Sequence, residues 1–256
     1  MADKNEYMNL LFLGTGTSTG VPQIGCECEV CRSENPKDKR LRASVLITDG
    51  ETSVLIDCGP DFRQQMLAHD IKSLSAIVLS HEHYDHVSGL DDIRPLGNID
   101  IYAEKTVLNA IKRTMHYCFK EELYPGVPKI NLCEIFENEE FRVGKIQIET
   151  IRVMHEKLPI LGFRIGNIAY LVDVKTIDEP VFEQLNNLDV LILNALRERE
   201  HISHLTLAQA LQIIEKIKPK KTYLTHIGHE MGLHDEVNKR LPKNVELAYD
   251  GLRIHS

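Results

Sequence analysis

The stretch Ser80-His-Glu-His-Tyr-Asp-His-Val87 places three imidazoles and two carboxylates directly after the apolar run Ala76–Leu79. The apolar run is typical of a short buried strand, and a turn at its end presents polar side chains at the edge of a sheet. Such a turn can aim the first two histidines at one divalent cation while the aspartate and the last histidine face a second. Imidazole and carboxylate groups both bind divalent metals. The stretch therefore predicts a metal site at a strand end.

Polar residues also follow several other strand candidates. These residues are Asp57, His155, Asp173, Asn194 and His226. Rigid scaffolds commonly present functional groups where strands end, so the repetition of this placement is informative. We expect the residues to meet at one edge of the fold.

Short apolar runs predict ten strands, and helical patterns lie between some of them. The strands are expected at 10–13, 43–48, 53–56, 76–79, 99–103, 145–151, 160–165, 168–172, 190–193 and 222–225, and the helices at 61–69, 104–117, 177–185 and 205–217. Early strands follow one another as hairpins, whereas later ones alternate with helices. This order predicts a single domain with helices outside either one mixed sheet or two packed sheets.

The composition is that of an ordinary soluble protein, with 43% hydrophobic and 27% charged residues in 256. The net charge of -8 argues against a protein that grips long nucleic acid through its phosphates. No apolar run approaches the length of a membrane span or a signal segment, so we expect a cytoplasmic protein with no membrane partner. Close cysteines in a reducing compartment more often bind metal than form disulfides.

The ordered motif His81-Glu-His83-Tyr-Asp85-His86 resembles the signature of the metallo-β-lactamase superfamily. Other motifs of that superfamily are matched in order along nearly the whole chain. The resemblance implies an α/β (α+β) fold, the four-layer αββα sandwich, with one or two metals at one edge.

The resemblance also implies which residues hold two divalent ions. One ion is assigned to His81, His83, His155 and Asp173, and the other to Asp85, His86, His226 and the same Asp173. Asp57 is expected to support the site from behind the ligands. These ligand types accept zinc or manganese, and the sequence leaves that choice open. The implied nucleophile is a hydroxide that bridges the two ions.

A second cluster, Cys26, Cys28 and Cys31, lies in a loop at about 24–33. Three thiolates are one ligand short of a closed tetrahedral zinc site. The cluster resembles the zinc loop of the cyclic phosphodiesterase subfamily of the carbon–phosphorus lyase pathway. In that subfamily a histidine three residues after the last active-site histidine completes the site, which implies His229 here and a structural zinc. Reduced thiols in a loop are the alternative.

The same subfamily uses a further histidine as general acid on the leaving oxygen. His204 is our choice for this role, grouped with Asp85 as catalytic, and His201 is the competitor and a weak substrate-binding candidate. Asn194 stands near a position where related chains often have an aspartate, and an amide cannot raise the pKa of a neighbouring imidazole. Arg94 is a candidate contact for substrate phosphate, with a structural salt bridge as the alternative.

These features together predict a dinuclear metal-dependent phosphodiesterase that acts on a small phosphodiester, with a cyclic one favoured. A nuclease similar to the transfer-RNA 3′-processing endonuclease (tRNase Z) is one alternative, although such enzymes usually insert a basic arm between the positions of His155 and Asp173. A non-catalytic metal-binding scaffold is the other. We expect one domain over residues 1–256. The natural substrate and the oligomeric state, with a homodimer as one option, stay open.

Overall fold

Two seven-stranded sheets form the centre of the computed structural model, which describes residues 8–255. The first sheet has the spatial order β14-β1-β2-β3-β4-β5-β6. Its strands are β1 Asn9–Gly14, β2 Ser44–Thr48, β3 Ser53–Ile56, β4 Ala76–Val78, β5 Asn98–Ala103, β6 Lys129–Glu134 and β14 Arg253–His255. From β14 to β3 the neighbours are antiparallel, and from β3 to β6 they are parallel.

The second sheet repeats this plan in the order β13-β12-β11-β10-β9-β8-β7. Its strands are β7 Glu140–Val143, β8 Ile146–His155, β9 Leu158–Ile165, β10 Ile168–Leu171, β11 Val190–Asn194, β12 Lys221–Thr225 and β13 Val245–Leu247. The neighbours from β7 to β10 are antiparallel, and those from β10 to β13 are parallel. Hairpins followed by parallel strands therefore occur twice, once in each sheet.

Helices lie in the connections between strands, mostly between parallel ones. They are α1 Glu29–Arg32, α2 Phe62–Ala68, α3 Tyr84–Val87, α4 Lys105–Thr114, α5 Val181–Gln184, α6 Leu207–Ile217 and α7 His234–Arg240, with 3-10 helices at Pro36–Asp38, Ser88–Leu96, His116–Phe119 and His229–Met231. Within residues 8–255, none of these helices has the length and the apolar character that crossing a lipid bilayer would require.

Three apolar layers hold the sheets and helices together. Side chains from the two facing sheet surfaces, such as Phe12 and Phe163, form the central layer. The outer face of the first sheet packs on α2 and α4, and the outer face of the second packs on α5, α6 and α7. Because most strands are covered on both faces, they read as continuous apolar runs rather than alternating ones. The layers are those of the predicted αββα sandwich, which is confirmed.

The direction of the strands explains why the polar strand-end residues meet. Strands β3 and β4 are parallel and end just before Asp57 and Ser80. In the second sheet, β10, β11 and β12 are parallel, and β8 runs the same way because β9 is antiparallel to both of its neighbours. Their carboxyl ends lie at one edge, which is where open α/β sheets bind ligands.

Candidate metal centre

Seven side chains from both sheets converge at this edge in two overlapping groups. One group consists of His81, His83, His155 and Asp173, and the other of Asp85, His86, Asp173 and His226. Within each group, the potential ligand atoms all lie within 4.8 Å of one another. Asp173 belongs to both groups, so its carboxylate lies between two positions where a cation could bind.

Three residues at the edge have a left-handed backbone, which turns the chain sharply at a strand end. The φ angles are 63° at Asp57, 61° at Asp173 and 55° at His226. Aspartate tolerates this region better than most residues, whereas other L-residues pay about 1–2 kcal/mol there. Each turn aims its side chain into the space between the sheets' ends rather than along the strand. Strained backbone of this kind often marks a functional site.

Close polar contacts connect the second group. Asp173 Oδ1 lies 2.9 Å from His226 Nε2, and Asp173 Oδ2 lies 3.3 Å from His86 Nε2. Asp85 follows the helix-capping His83 in the first turn of α3, and its Oδ2 is 3.2 Å from His86 Nε2. In the first group, Asp173 Oδ2 is 3.4 Å from His81 Nε2. The Nε2 atoms of these three histidines therefore face the shared carboxylate.

The opposite ring nitrogens are held by groups behind the site. His86 Nδ1 donates to Asp57 Oδ2 at 2.8 Å, and His155 Nδ1 donates to the carbonyl oxygen of Ser203 at 2.9 Å. The hydroxyl of Ser80 contacts both carboxylate oxygens of Asp57, at 2.9 and 3.0 Å, and lies 3.0 Å from His81 Nδ1. Such partners fix the tautomer and orientation of metal-binding histidines. Ser80 was not among the predicted site residues, although it stands in the motif itself.

The inward-facing atoms have no matching protein partner. His81 Nε2, His86 Nε2 and Asp173 Oδ1 are buried and make no well-aligned hydrogen bond. Buried polar atoms are almost always satisfied in native proteins, so three orphans at one point call for a missing partner. Nitrogen lone pairs around a carboxylate suit a divalent cation. The donor set fits two such ions.

Electrostatic coupling in the cluster is strong. Burial alone would raise the pKa of Asp173, but the charges of His226 and His86 outweigh it and hold the pKa well below its usual value. Burial likewise opposes the charge on His226, yet Asp173 raises the pKa of that ring to about 9. Burial and the charge of His86 together lower the pKa of His81 to about 4. The cluster thus holds carboxylates that are charged at neutral pH.

The cysteine cluster meets its fourth candidate ligand across nearly the full length of the chain. His229 Nδ1 lies 3.3 Å from the Sγ atoms of both Cys26 and Cys28, and Cys31 completes a group whose ligand atoms lie within 4.8 Å. The contact with His229 lowers the pKa of the Cys28 thiol to about 6. The group joins α1 to the 3-10 helix His229–Met231, three residues beyond His226. Three sulfurs and one nitrogen suit tetrahedral zinc.

His204 lies against the cluster, and His201 lies farther out. The ring centroid of His204 is 4.7 Å from that of His155 and 4.9 Å from that of His226, while the His201 ring lies 5.0 Å from that of His204 with a tilt of 35°. His204 Nδ1 is 3.8 Å from Asp173 Oδ1. Burial and the nearby charge of His226 lower the pKa of His204 to about 3.

Asn194 supports the backbone behind Asp173. Its side-chain oxygen accepts from the Val174 N–H at 2.7 Å, and its amide nitrogen donates to the Val174 carbonyl at 3.1 Å. An aspartate could not donate the second bond unless it were protonated. Both the oxygen and the nitrogen of the Asn194 amide thus bind the backbone of Val174, so Asn194 holds the segment that follows Asp173 in place.

We expect Asn194→Leu to lower the free energy of unfolding by about 1–3 kcal/mol, because it leaves the buried Val174 N–H without a partner and leaves the Val174 carbonyl with the Leu205 N–H as its remaining donor. Urea unfolding followed by circular dichroism measures the change. The control is Asn109→Leu on the exposed face of α4. Equal stability of the two variants would contradict this role for Asn194.

Arg94 is bound by a neighbouring carboxylate. Its Nη2 lies 2.5 Å from Asp91 Oδ2, and Asp91 also accepts from the Tyr117 hydroxyl at 2.5 Å. The residue lines a groove between α2 and the 3-10 helix Ser88–Leu96 and belongs to neither ligand group. The salt bridge that the sequence left as an alternative is therefore present, and a contact with substrate stays a prediction.

A family of known proteins matches most of the chain. The sequence model described as "Beta-lactamase superfamily domain" matches residues 52–227. A curated relative, the octanoyltransferase of Porphyromonas gingivalis, is 46% identical over 250 residues, which cover 96% of this chain and 51% of that protein. The chain spans about half or less of the length of the curated relatives it matches first. The name of the Porphyromonas protein therefore describes a chain twice as long.

Two solved structures show the same fold. A "new diphosphatase from the PhnP family" is 39% identical, with a TM-score of 0.92 over 98% of this chain and 97% of that chain. The short form of human tRNase Z is 20% identical, with a TM-score of 0.72 over 96% and 98% of the two chains. At 20% identity, the similarity to tRNase Z shows a shared fold alone.

Proposed function

The chain belongs to the β-lactamase superfamily and, within it, to the PhnP family, and on this premise we propose that it is a dinuclear metal-dependent hydrolase of small phosphodiesters. The observation that supports the proposal most directly is the pair of ligand groups that share Asp173. Two divalent cations bound there would neutralise charge on phosphoryl oxygens and lower the pKa of water to supply the nucleophile. The ligands accept zinc or manganese.

Four side chains of the protein would have separate roles in the proposed reaction. Asp173 would hold both ions, and Asp85 would bind one of them and orient the attacking water. His204 would give a proton to the leaving oxygen, since its Nδ1 lies 3.8 Å from Asp173 Oδ1 and its ring 4.7 Å from that of His155. An anionic phosphodiester next to this ring favours its charged form, which the proton transfer requires. His201, behind His204, would bind the leaving part of the substrate.

A small phosphodiester, cyclic or open, is the substrate class that we favour. A diphosphate diester is the second candidate, because the solved relative that is 39% identical is called a diphosphatase. A tRNase Z-like activity is disfavoured by the interval between His155 and Asp173, which β9 and β10 fill with two strands and short turns. No basic arm fits in it.

The second cluster is proposed to hold a structural zinc. Cys26, Cys28, Cys31 and His229 would leave such an ion no open position, so its role would be stability rather than chemistry. The thiols must be reduced to bind, and all six cysteines of the chain are free, which fits a cytoplasmic setting.

Turnover of the metal-loaded protein tests the function. The substrates are a 4-nitrophenyl phosphodiester, a 2′,3′-cyclic nucleotide, a 1,2-cyclic ribose phosphate, a dinucleoside diphosphate and precursor tRNA. We expect turnover of the small esters and not of the tRNA. His204→Ala should slow release of an alkoxide about 10²–10⁴-fold while sparing release of nitrophenolate, which needs no proton.

Bound metal is counted in the same preparations. No turnover of any small ester at full metal occupancy would contradict the proposal and favour a metal-binding scaffold. Turnover of precursor tRNA alone would favour the nuclease.

A further inference from the structure

Lys175 binds the loop that carries His201 and His204. Its ammonium nitrogen lies 2.7 Å from the carbonyl oxygen of His201, 3.2 Å from that of His204 and 2.6 Å from Glu200 Oε1. A fourth oxygen, Gln209 Oε1, lies farther away at 3.4 Å. An ammonium group has three N–H donors, which match the three nearer oxygens in number. The side chain is only 17% exposed, so the contacts are made largely out of water.

The carbonyl of Ser203 in the same loop is held as well. Ser203 O accepts from His155 Nδ1 at 2.9 Å, and the Leu205 N–H donates to Val174 O at 3.2 Å. Lys175 and Val174 both follow Asp173 directly in the chain. The loop is therefore held by the two segments that carry His155 and Asp173, and two of its carbonyls, those of His201 and His204, bind the Lys175 ammonium.

The contacts of Lys175 with the two carbonyls contribute more to the position of the loop than its ion pair with Glu200 does. Glu200 is 69% exposed, so its pair with Lys175 is screened by water and contributes little to stability. The two loop carbonyls, in contrast, bind an ammonium group on a side chain that is largely removed from water. Without the ammonium, their like dipoles would point at one another and the loop would shift outward, taking His204 with it.

We propose that Lys175 is a positioning residue that sets the place of His204 for proton transfer to the leaving oxygen. The inference rests on the proposed function, since it requires His204 to be the acid. Misplacing a reacting group by about 1 Å can cost about 10²-fold in rate. The loss should appear in kcat and only where the leaving group needs a proton.

The experiment compares Lys175→Met with the native protein, both loaded with metal, on two substrates. One is a 4-nitrophenyl phosphodiester and the other a 2′,3′-cyclic nucleotide, whose alkoxide must be protonated as its P–O bond breaks. We expect Lys175→Met to lower kcat on the cyclic nucleotide about 10²-fold, with nitrophenolate release within about twofold of native. Lys175→Arg keeps the charge and donors in an altered shape and should recover part of the loss.

Three further variants make the result interpretable. Glu200→Gln and Lys220→Met, the latter at an exposed lysine paired with Asp189, should both behave like the native protein on both substrates. His204→Ala shows whether the acid itself is correctly assigned. Metal content and the unfolding midpoint are measured for every variant, and Lys175→Arg carries the comparison if Lys175→Met does not fold.

Equal losses on the two substrates, or no loss on either, for Lys175→Met would overturn the positioning role. If Lys175→Met does not fold, a loss in Lys175→Arg that is equal on the two substrates would overturn it. If His204→Ala is selective for the cyclic nucleotide and Lys175→Met is not, only this inference fails. If His204→Ala itself shows no selectivity, the general acid in the proposed function is wrong, and the inference falls with it.

Discussion

Asp173→Asn is expected to lower kcat on any phosphodiester substrate by about 10³-fold or more, which corresponds to about 4 kcal/mol of transition-state stabilisation. The carboxylate is the only group common to both ligand sets, so the change weakens both cation positions at once. Asparagine is chosen because it tolerates the positive φ of 61° at this position. The backbone turn is thereby kept while the negative charge is removed.

Asp70 offers a matched control. It has the same left-handed backbone, with φ of 52°, but it is an exposed residue whose partner is the surface Lys72. Asp70→Asn therefore repeats the chemical change and the backbone constraint without touching the cluster. Steady-state kinetics and bound-metal analysis of both variants check the prediction. Full activity of Asp173→Asn at unchanged metal content would rule out a bridging role.

His229→Ala is expected to remove one tightly held zinc and to lower stability by about 3 kcal/mol, or about 6–12 °C in Tm. The imidazole contacts the Sγ atoms of both Cys26 and Cys28 and so links the N-terminal loop to the 3-10 helix His229–Met231. Its loss removes that link and one of the four zinc ligands. The two ligand groups that share Asp173 are unchanged, so we expect the metal bound there to remain.

His116→Ala is the control, because His116 is exposed and belongs to neither metal cluster. Zinc per chain by mass spectrometry and thermal unfolding by calorimetry give the two readouts. A His229→Ala protein that keeps all its zinc would refute the four-ligand site. A protein that loses the active-site metals first would show that the clusters have been assigned the wrong way round.

The strands that could be predicted are the ones covered on both faces. Runs such as 53–56 and 190–193 read as continuous apolar segments, and the structure has β3 and β11 there. The strands that were missed are short or lie at sheet edges. Edge strand β6 alternates between exposed and half-buried residues, and β13 and β14 have three residues each, too few to show a period.

The helix expected at 177–185 is the clearest overestimate. Only α5, Val181–Gln184, forms, with Pro180 at its N-cap. Proline disfavours helical backbone in the residue before it, so the helix cannot extend toward residue 177. The apolar spacing there reflects packing on the second sheet rather than a longer helix.

The residues of the candidate centre could be predicted from the sequence because they lie at or just after strand ends and have side chains suited to metal. Their partners behind the site could not be predicted. Ser80 and Lys175 act through contacts with Asp57 and with loop carbonyls, which only the folded chain brings together. No local spacing encodes these contacts, since serine after a strand and lysine near a turn are common on ordinary surfaces.

The two sheets contribute unequal and complementary shares of the centre. His81, His83, Asp85 and His86 come from the first sheet, and His155, Asp173 and His226 from the second. Any ion held there would bind ligands from both sheets and would therefore oppose movement of one sheet relative to the other. Removal of the metal by a chelator should therefore speed hydrogen exchange along the inner strands of both sheets, far from the loops that contact the metal. Release of the metal should in turn require the two sheets to separate at this edge.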